Sequence, residues 1–68
     1  MININLRLSM LMEGRKIKRI RQSLGLTQEE FAHRLGVTLC TVNRWENNKS
    51  IPSRLALKQL ERFAERVN

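Results

Sequence analysis

Two short helices separated by a glycine are the feature that most limits how this chain can fold. The capping box Thr27-Gln28-Glu29-Glu30 predicts a helix start, because a threonine hydroxyl and a glutamate three positions later can bind the free backbone N–H groups there. Gly36 interrupts the helical pattern, and Thr38 can cap a second helix that runs to about Asn47. Helices this short are not stable alone in water. The two must therefore pack against each other and against the rest of the chain.

Apolar side chains predict how these two helices pack. Phe31, Ala32 and Leu35 form one face of the first helix, and Val42 and Trp45 form one face of the second. The small side chain of Ala32 lets the helices approach closely and cross steeply. With Val42 and Trp45 turned inward, the outward residues of the second helix are Cys40, Asn43, Arg44 and Asn47, with Leu39 and Thr41 at its flanks.

A further helix is predicted before this pair, from near Ser9 or Glu13 to Leu24. Gly25 ends it, as glycine commonly does at the C-terminus of a helix. Its buried face is predicted to consist of Ile17, Ile20 and Leu24.

A last helix is predicted from about Arg54 to Val67, after the Pro52-Ser53 pair. The apolar residues on its inner face are Ala56, Leu60, Phe63 and Val67, widened by Leu57 and Ala64. Leu55 lies off this face, so the helix can offer apolar surface to a second subunit as well as to the core.

Residues 1–8 form a separate N-terminal arm before a single domain at residues 9–68. The arm alternates apolar and polar residues, which is the pattern of a half-buried strand. A lone strand must pair with a copy of itself or with another protein, and the alternative is a frayed terminus. The predicted fold class is therefore all-α, a bundle of four to five short helices with a possible N-terminal β-strand arm.

The charge balance indicates a polyanionic partner. Thirteen Lys and Arg residues stand against six acidic residues, all Glu, and the net charge is +7. Nucleic acid is the first candidate, with an anionic membrane surface and a solvated helix face as the alternatives. Apolar runs such as Met10 to Met12 are far too short to cross a bilayer, which needs about 20 residues. We therefore expect a DNA partner and no membrane.

Few residues in the sequence are suited to catalysis or to metal binding. The chain contains one His, one Cys and no Asp, and it has no glycine-rich phosphate loop. We expect no enzymatic activity, no cofactor and no metal. Cys40 has no partner for an internal disulfide, and no secretory segment is evident, so we expect a cytoplasmic, nucleoid-associated protein.

Four motifs occur in a fixed order along the chain: Leu26-Thr27-Gln28-Glu29-Glu30-Phe31-Ala32, Leu35-Gly36-Val37-Thr38, Val42-Asn43-Arg44-Trp45-Glu46-Asn47 and Pro52-Ser53. Together they resemble the XRE family of helix-turn-helix proteins, which includes the Cro and repressor proteins of lambdoid phages, over roughly residues 14 to 67. The resemblance implies a lambda-repressor-like helix-turn-helix bundle in which residues 28–47 are the helix-turn-helix and its second helix enters the DNA major groove. Asn48, where a glycine is more usual, and the arm depart from the family pattern.

The resemblance and the side-chain chemistry together imply which residues contact DNA. Arg44 can bind O6 and N7 of guanine, Asn43 can bind adenine or a phosphate, and Leu39 can touch a thymine methyl group. The predicted base-reading residues are Leu39, Cys40, Asn43 and Arg44. The predicted phosphate-contacting residues are Gln28, Thr38, Thr41, Asn47, Asn48, Lys49 and Arg54. The alternatives are that Arg44 is a solvated surface arginine and that Leu39 packs against the preceding helix instead of DNA.

Arg21 and Glu46 are assigned to structure rather than to DNA contact. Arg21 lies on the same side of its helix as Ile17 and Leu24, where a charge needs a partner. Glu46, at the edge of the inner face of its own helix, can supply that partner. The resemblance implies the same pairing.

The sequence thus predicts a sequence-specific regulator of transcription that binds double-stranded DNA, most simply as a repressor. Useful specificity usually needs two half-sites, so a homodimer is expected, formed through the last helix, the arm, or both. One alternative is an antitoxin that also binds a toxin protein. Another is a protein-interaction adaptor that keeps the fold without reading DNA.

Overall fold

The computed structural model describes residues 12–66, which contain four helices and no strand. They are α1 (Gly14–Ser23), α2 (Gln28–Leu35), α3 (Leu39–Glu46) and α4 (Arg54–Arg66). The predicted all-α class is confirmed. Within this part of the chain no helix is both long and apolar enough to span a membrane.

Some sequence predictions fall outside the described residues. These are the arm at residues 1–8, the helix start near Ser9, and Val67 at the end of the last helix. Of the two starts predicted for α1, the one at Glu13 is observed, because Glu13 is the N-cap residue.

Side-chain oxygens cap the N-termini of three of the helices. At α2 the capping box is complete: the Thr27 hydroxyl accepts from the Glu30 N–H at 3.1 Å, and the Thr27 N–H donates to the Glu30 carboxylate at 2.9 Å. The Thr38 hydroxyl accepts from the N–H of Thr41 at the start of α3. The Ser53 hydroxyl accepts from the third residue of α4. Each bond satisfies an N–H group that has no partner within its helix.

The first three helices end in the same hydrogen-bonded turn, a Schellman motif, which requires one residue with positive φ. Gly25 and Gly36 take this position after α1 and α2, each with φ of 71°. After α3 it is Asn48 with φ of 58°, and its N–H and that of Lys49 donate to Trp45 and Arg44 carbonyls. Asparagine tolerates this conformation better than most residues. Asn48, which stands where the family usually has a glycine, therefore still allows this turn to form.

The core lies between the four helices, with α3 packed against α2 and α1, and α4 packed against α1. Trp45 is 4% exposed, which confirms its interpretation as a core residue rather than a stacking platform. The Phe31 ring packs against that of Phe63 with centroids 5.7 Å apart. The buried apolar residues are Met12, Ile17, Ile20, Phe31, Ala32, Leu35, Val42, Trp45, Ala56, Leu57 and Leu60. Burial of each large side chain stabilises the fold by about 1.5 to 3 kcal/mol, and together they hold α3 in place.

Candidate nucleic-acid interface

The outward face of α3 carries the predicted base-reading residues. Leu39, Cys40, Asn43 and Arg44 are all exposed, and Leu39 is 47% exposed. Val42 and Trp45 occupy the opposite side of the helix and are buried. The core therefore fixes how far α3 can rotate about its axis, and that rotation determines which side chains face a ligand.

The start of α2 lies beside the outward face of α3. The Gln28 side chain is half-buried, and its Nε2 donates to Oε1 of Glu46 at 3.0 Å. Its Oε1 accepts from Nδ2 of Asn43 at 3.4 Å. Gln28 was predicted from sequence to contact phosphate, and the structure adds that its amide also joins α2 to α3.

An ion pair with largely buried side chains joins the end of α1 to the end of α3. Arg21 Nε lies 2.7 Å from Oε2 of Glu46, and the two side chains are only 12% and 3% exposed. Arg21 also donates to Oε1 of Glu46 at 3.1 Å and to the Leu26 carbonyl at 2.9 Å. The hydrogen bond to Glu46 raises the pKa of the Arg21 guanidinium, although burial opposes the shift. Both charges are paired, as buried charges must be.

Most of the other residues predicted to contact phosphate lie at the start of α3 or just after its end. At its start, the hydroxyls of Thr38 and Thr41 are hydrogen-bonded to each other at 2.9 Å. At its end, Nδ2 of Asn47 donates to the Asn43 carbonyl at 2.8 Å. Lys49 and Arg54 follow and are exposed. Polar side chains therefore lie on both sides of the face that is predicted to read bases.

Asn48 makes a contact that the sequence did not predict. Its Oδ1 accepts from the backbone N–H of Gly14, 2.9 Å away, and so caps α1. A Cβ atom on Gly14 would lie 2.5 Å from the carbonyl oxygens of Trp45 and Glu46, so only glycine fits there. The one sequence signal was the glycine itself, at the first position of a helix that lacks a capping side chain of its own.

Among residues 12–66, no group of three or more His, Cys, Asp or Glu side chains could hold a metal ion. Cys40 is a free, exposed thiol. The chemistry that the described surface offers is hydrogen bonding and positive charge on and around α3.

Known proteins resemble part of the chain. A family model described as helix-turn-helix matches residues 17–66. A propionyl-CoA carboxylase regulator of Cereibacter sphaeroides is 50% identical over 38 residues, which are 56% of this chain. An HTH-type transcriptional activator, BcrR of Enterococcus faecalis, is 33% identical over 48 residues, which are 71% of this chain.

The chain corresponds to a small part of each relative. The matched segments are 8% of the first relative and 24% of the second. No solved structure matches the chain significantly.

Proposed function

Because the chain belongs to the XRE-type helix-turn-helix family, we propose that it binds specific sequences of double-stranded DNA and regulates transcription as a repressor. The observation that carries the proposal is the outward face of α3. The core fixes the rotation of this helix, and the amide of Asn43 and the guanidinium of Arg44 are exposed side by side. Side chains of these two types can read base edges in the major groove.

In the proposed complex, α3 lies in the major groove and α2 crosses the backbone. Arg44 donates two hydrogen bonds to O6 and N7 of a guanine, and Asn43 binds an adenine. Leu39 contacts a thymine methyl group, and the small side chain of Cys40 lets the helix approach a base closely.

Phosphate contacts set the depth and direction of α3 in the groove. They are proposed for Gln28, Thr38, Thr41, Asn47, Asn48, Lys49 and Arg54. Gln28 stands at the first position of α2, where the helix dipole favours an anion. The net charge of +7 attracts the duplex over longer distances.

A second copy of the chain is the proposed partner in DNA binding. One α3 reads few bases, whereas two copies related by a two-fold axis read half-sites about 34 Å apart. Two candidate contacts between copies are the arm at residues 1–8 and the apolar surface of Ile51 and Leu55. Those two side chains are 70% and 69% exposed. Bound at a promoter, such a dimer represses transcription by excluding the polymerase.

Selection of bound sites from a pool of random duplexes, followed by a salt titration on the best site, tests the proposal. We expect a defined sequence and an affinity that falls by about 0.9 logarithmic units per logarithmic unit of salt for each phosphate neutralised. If the protein shows no salt-dependent binding to duplexes, the alternative function as a protein-interaction adaptor is favoured. Binding of both DNA and a co-encoded toxin would identify an antitoxin, and stimulated transcription would replace repression with activation.

A further inference from the structure

Four polar side chains form one hydrogen-bonded chain that begins on α1 and ends on the exposed face of α3. Arg21 donates to both carboxylate oxygens of Glu46, at 2.7 and 3.1 Å. Gln28 donates from Nε2 to Oε1 of Glu46 at 3.0 Å. Asn43 donates from Nδ2 to Oε1 of Gln28 at 3.4 Å. The side chain predicted to read a base is thus the last member of a chain that starts at a largely buried ion pair.

Arg21 and Glu46 determine how the amide groups of Gln28 and Asn43 are oriented. A guanidinium can only donate hydrogen bonds, and a carboxylate can only accept them. Gln28 must therefore turn its NH₂ group toward Glu46, which leaves its carbonyl oxygen facing Asn43. Asn43 in turn must direct its own NH₂ group toward Gln28.

The start of the chain is held firmly. The guanidinium of Arg21 is also fixed by its bond to the Leu26 carbonyl, and the Glu46 side chain is only 3% exposed. Reversing a donor in so buried a pair would leave a charged group unpaired, which is costly. Asn43 is exposed, so its Oδ1 and its second amide hydrogen face whatever docks on α3.

We propose that Arg21, Glu46 and Gln28 act as positioning residues that fix the amide orientation of Asn43 and thereby make it select adenine over guanine. The proposal rests on the DNA-binding function proposed above. In the fixed orientation Asn43 offers one acceptor and one donor, which match the N6 amino group and N7 of adenine. In the opposite orientation its NH₂ group would face outward, and donor hydrogens match O6 and N7 of guanine.

Glu46→Gln tests the proposal because it can reverse the direction of the chain. The new carbonyl oxygen should stay with Arg21 Nε, which makes the shorter bond of 2.7 Å and has a single hydrogen to donate. The new NH₂ group then takes the place of Oε1, where it faces Gln28 and where the 3.1 Å bond from Arg21 Nη2 is lost. Gln28 and Asn43 must both turn over. At the base pair that Asn43 reads, we expect wild type to prefer adenine at least about fivefold, and Glu46→Gln to lose this preference or transfer it to guanine.

Two further variants make this result specific. Asn43→Ala identifies the base pair, as the position where selectivity between adenine and guanine disappears, and in that background Glu46→Gln should change nothing further. Arg21→Lys weakens the same ion pair but keeps a donor-only group facing Glu46. It should therefore retain the adenine preference, even if it lowers thermal stability as much as Glu46→Gln does.

Gln28→Ala cuts the chain but leaves both hydrogen bonds between Arg21 and Glu46 in place, so it tests the proposal even if Glu46→Gln does not fold. Freed from Gln28, Asn43 should bind adenine and guanine sites within about twofold of each other, while circular dichroism shows unchanged helix content. Retention of the wild-type adenine preference by Gln28→Ala, or by a folded Glu46→Gln, overturns the positioning role, and so does unchanged selectivity in Asn43→Ala. A wild-type protein that selects no sequence at all would instead contradict the proposed function itself.

Discussion

The backbone N–H of Gly14 donates to Oδ1 of Asn48 at 2.9 Å, so the first residue of α1 is capped by a residue of the turn after α3, 34 positions away. Asn48 does this from a backbone with φ of 58°. One residue thus closes the turn after the proposed recognition helix and fixes the start of the neighbouring helix. Substitutions at Gly14 and at Asn48 should therefore both change the free energy of unfolding, and the two changes separate the contributions of these residues.

We expect Gly14→Ala to destabilise the fold by about 1 to 3 kcal/mol, the usual cost of overpacking. The added Cβ would lie 2.5 Å from the backbone carbonyl oxygens of Trp45 and Glu46, which cannot move without shifting α3. Alanine has the higher helix propensity, by about 1 kcal/mol, so a stabilising effect would show that the contact is not as close as described. Urea unfolding provides the measurement, with the exposed Lys18→Ala as a control within about 0.5 kcal/mol of wild type.

Two substitutions at Asn48 separate its conformation from its capping bond. Asn48→Gly removes the acceptor for Gly14 but relaxes the backbone, so we expect a loss of at most about 1 kcal/mol. Asn48→Ala removes the acceptor and keeps a Cβ at positive φ, so it should cost about 1 to 2 kcal/mol more than the glycine variant. Equal unfolding free energies for the two variants would exclude any contribution from the left-handed backbone.

The sequence was sufficient to predict the features that depend on neighbouring residues. The capping box at Thr27, the turn at Gly36 and the burial of Trp45 follow from local hydrogen bonding and helical periodicity, and the structure contains all three. The bond between Gly14 and Asn48 could not be predicted in this way. It depends on how closely α1 approaches the end of α3, which only the packed structure sets. The structure gives the positions of the residues predicted to contact DNA, and their roles stay predictions.

The capping box makes the start of α2 sensitive to acid. Hydrogen bonds from the backbone and side chain of Thr27 lower the pKa of Glu30. A carboxylate whose folded pKa lies below its unfolded value stabilises the fold above the unfolded pKa, and this contribution disappears as pH falls through the folded value. Glu30→Gln keeps an acceptor oxygen but does not titrate. Over this acidic range we expect the variant to lose less stability than wild type in urea unfolding at a series of pH values, and parallel curves would argue against the capping contribution.

Arg44→Ala should weaken binding to the best duplex by about 1 to 3 kcal/mol and relax the preference at one base pair. Lys49→Ala should weaken all duplexes more evenly, because the proposed partner of the Lys49 ammonium group is a phosphate. The exposed Arg62→Ala in α4 controls for the loss of one positive charge. Site selection and fluorescence anisotropy give both quantities. An unchanged base preference in Arg44→Ala would remove this residue from the base-reading set.

The proposed dimer can be tested by weakening its two candidate contacts separately. Deleting residues 1–8 should leave helix content nearly unchanged but lower the apparent mass in sedimentation, and weaken binding to paired half-sites more than to one half-site, if the arm pairs between copies. Leu55→Ser should do the same if the exposed apolar surface of α4 is the contact. Loss of that 69% exposed side chain should change monomer stability by no more than about 0.5 kcal/mol. Lys58→Ser, at another exposed position of α4, is the matched control. If both changes leave the mass and the preference for paired half-sites as in wild type, neither surface joins the copies.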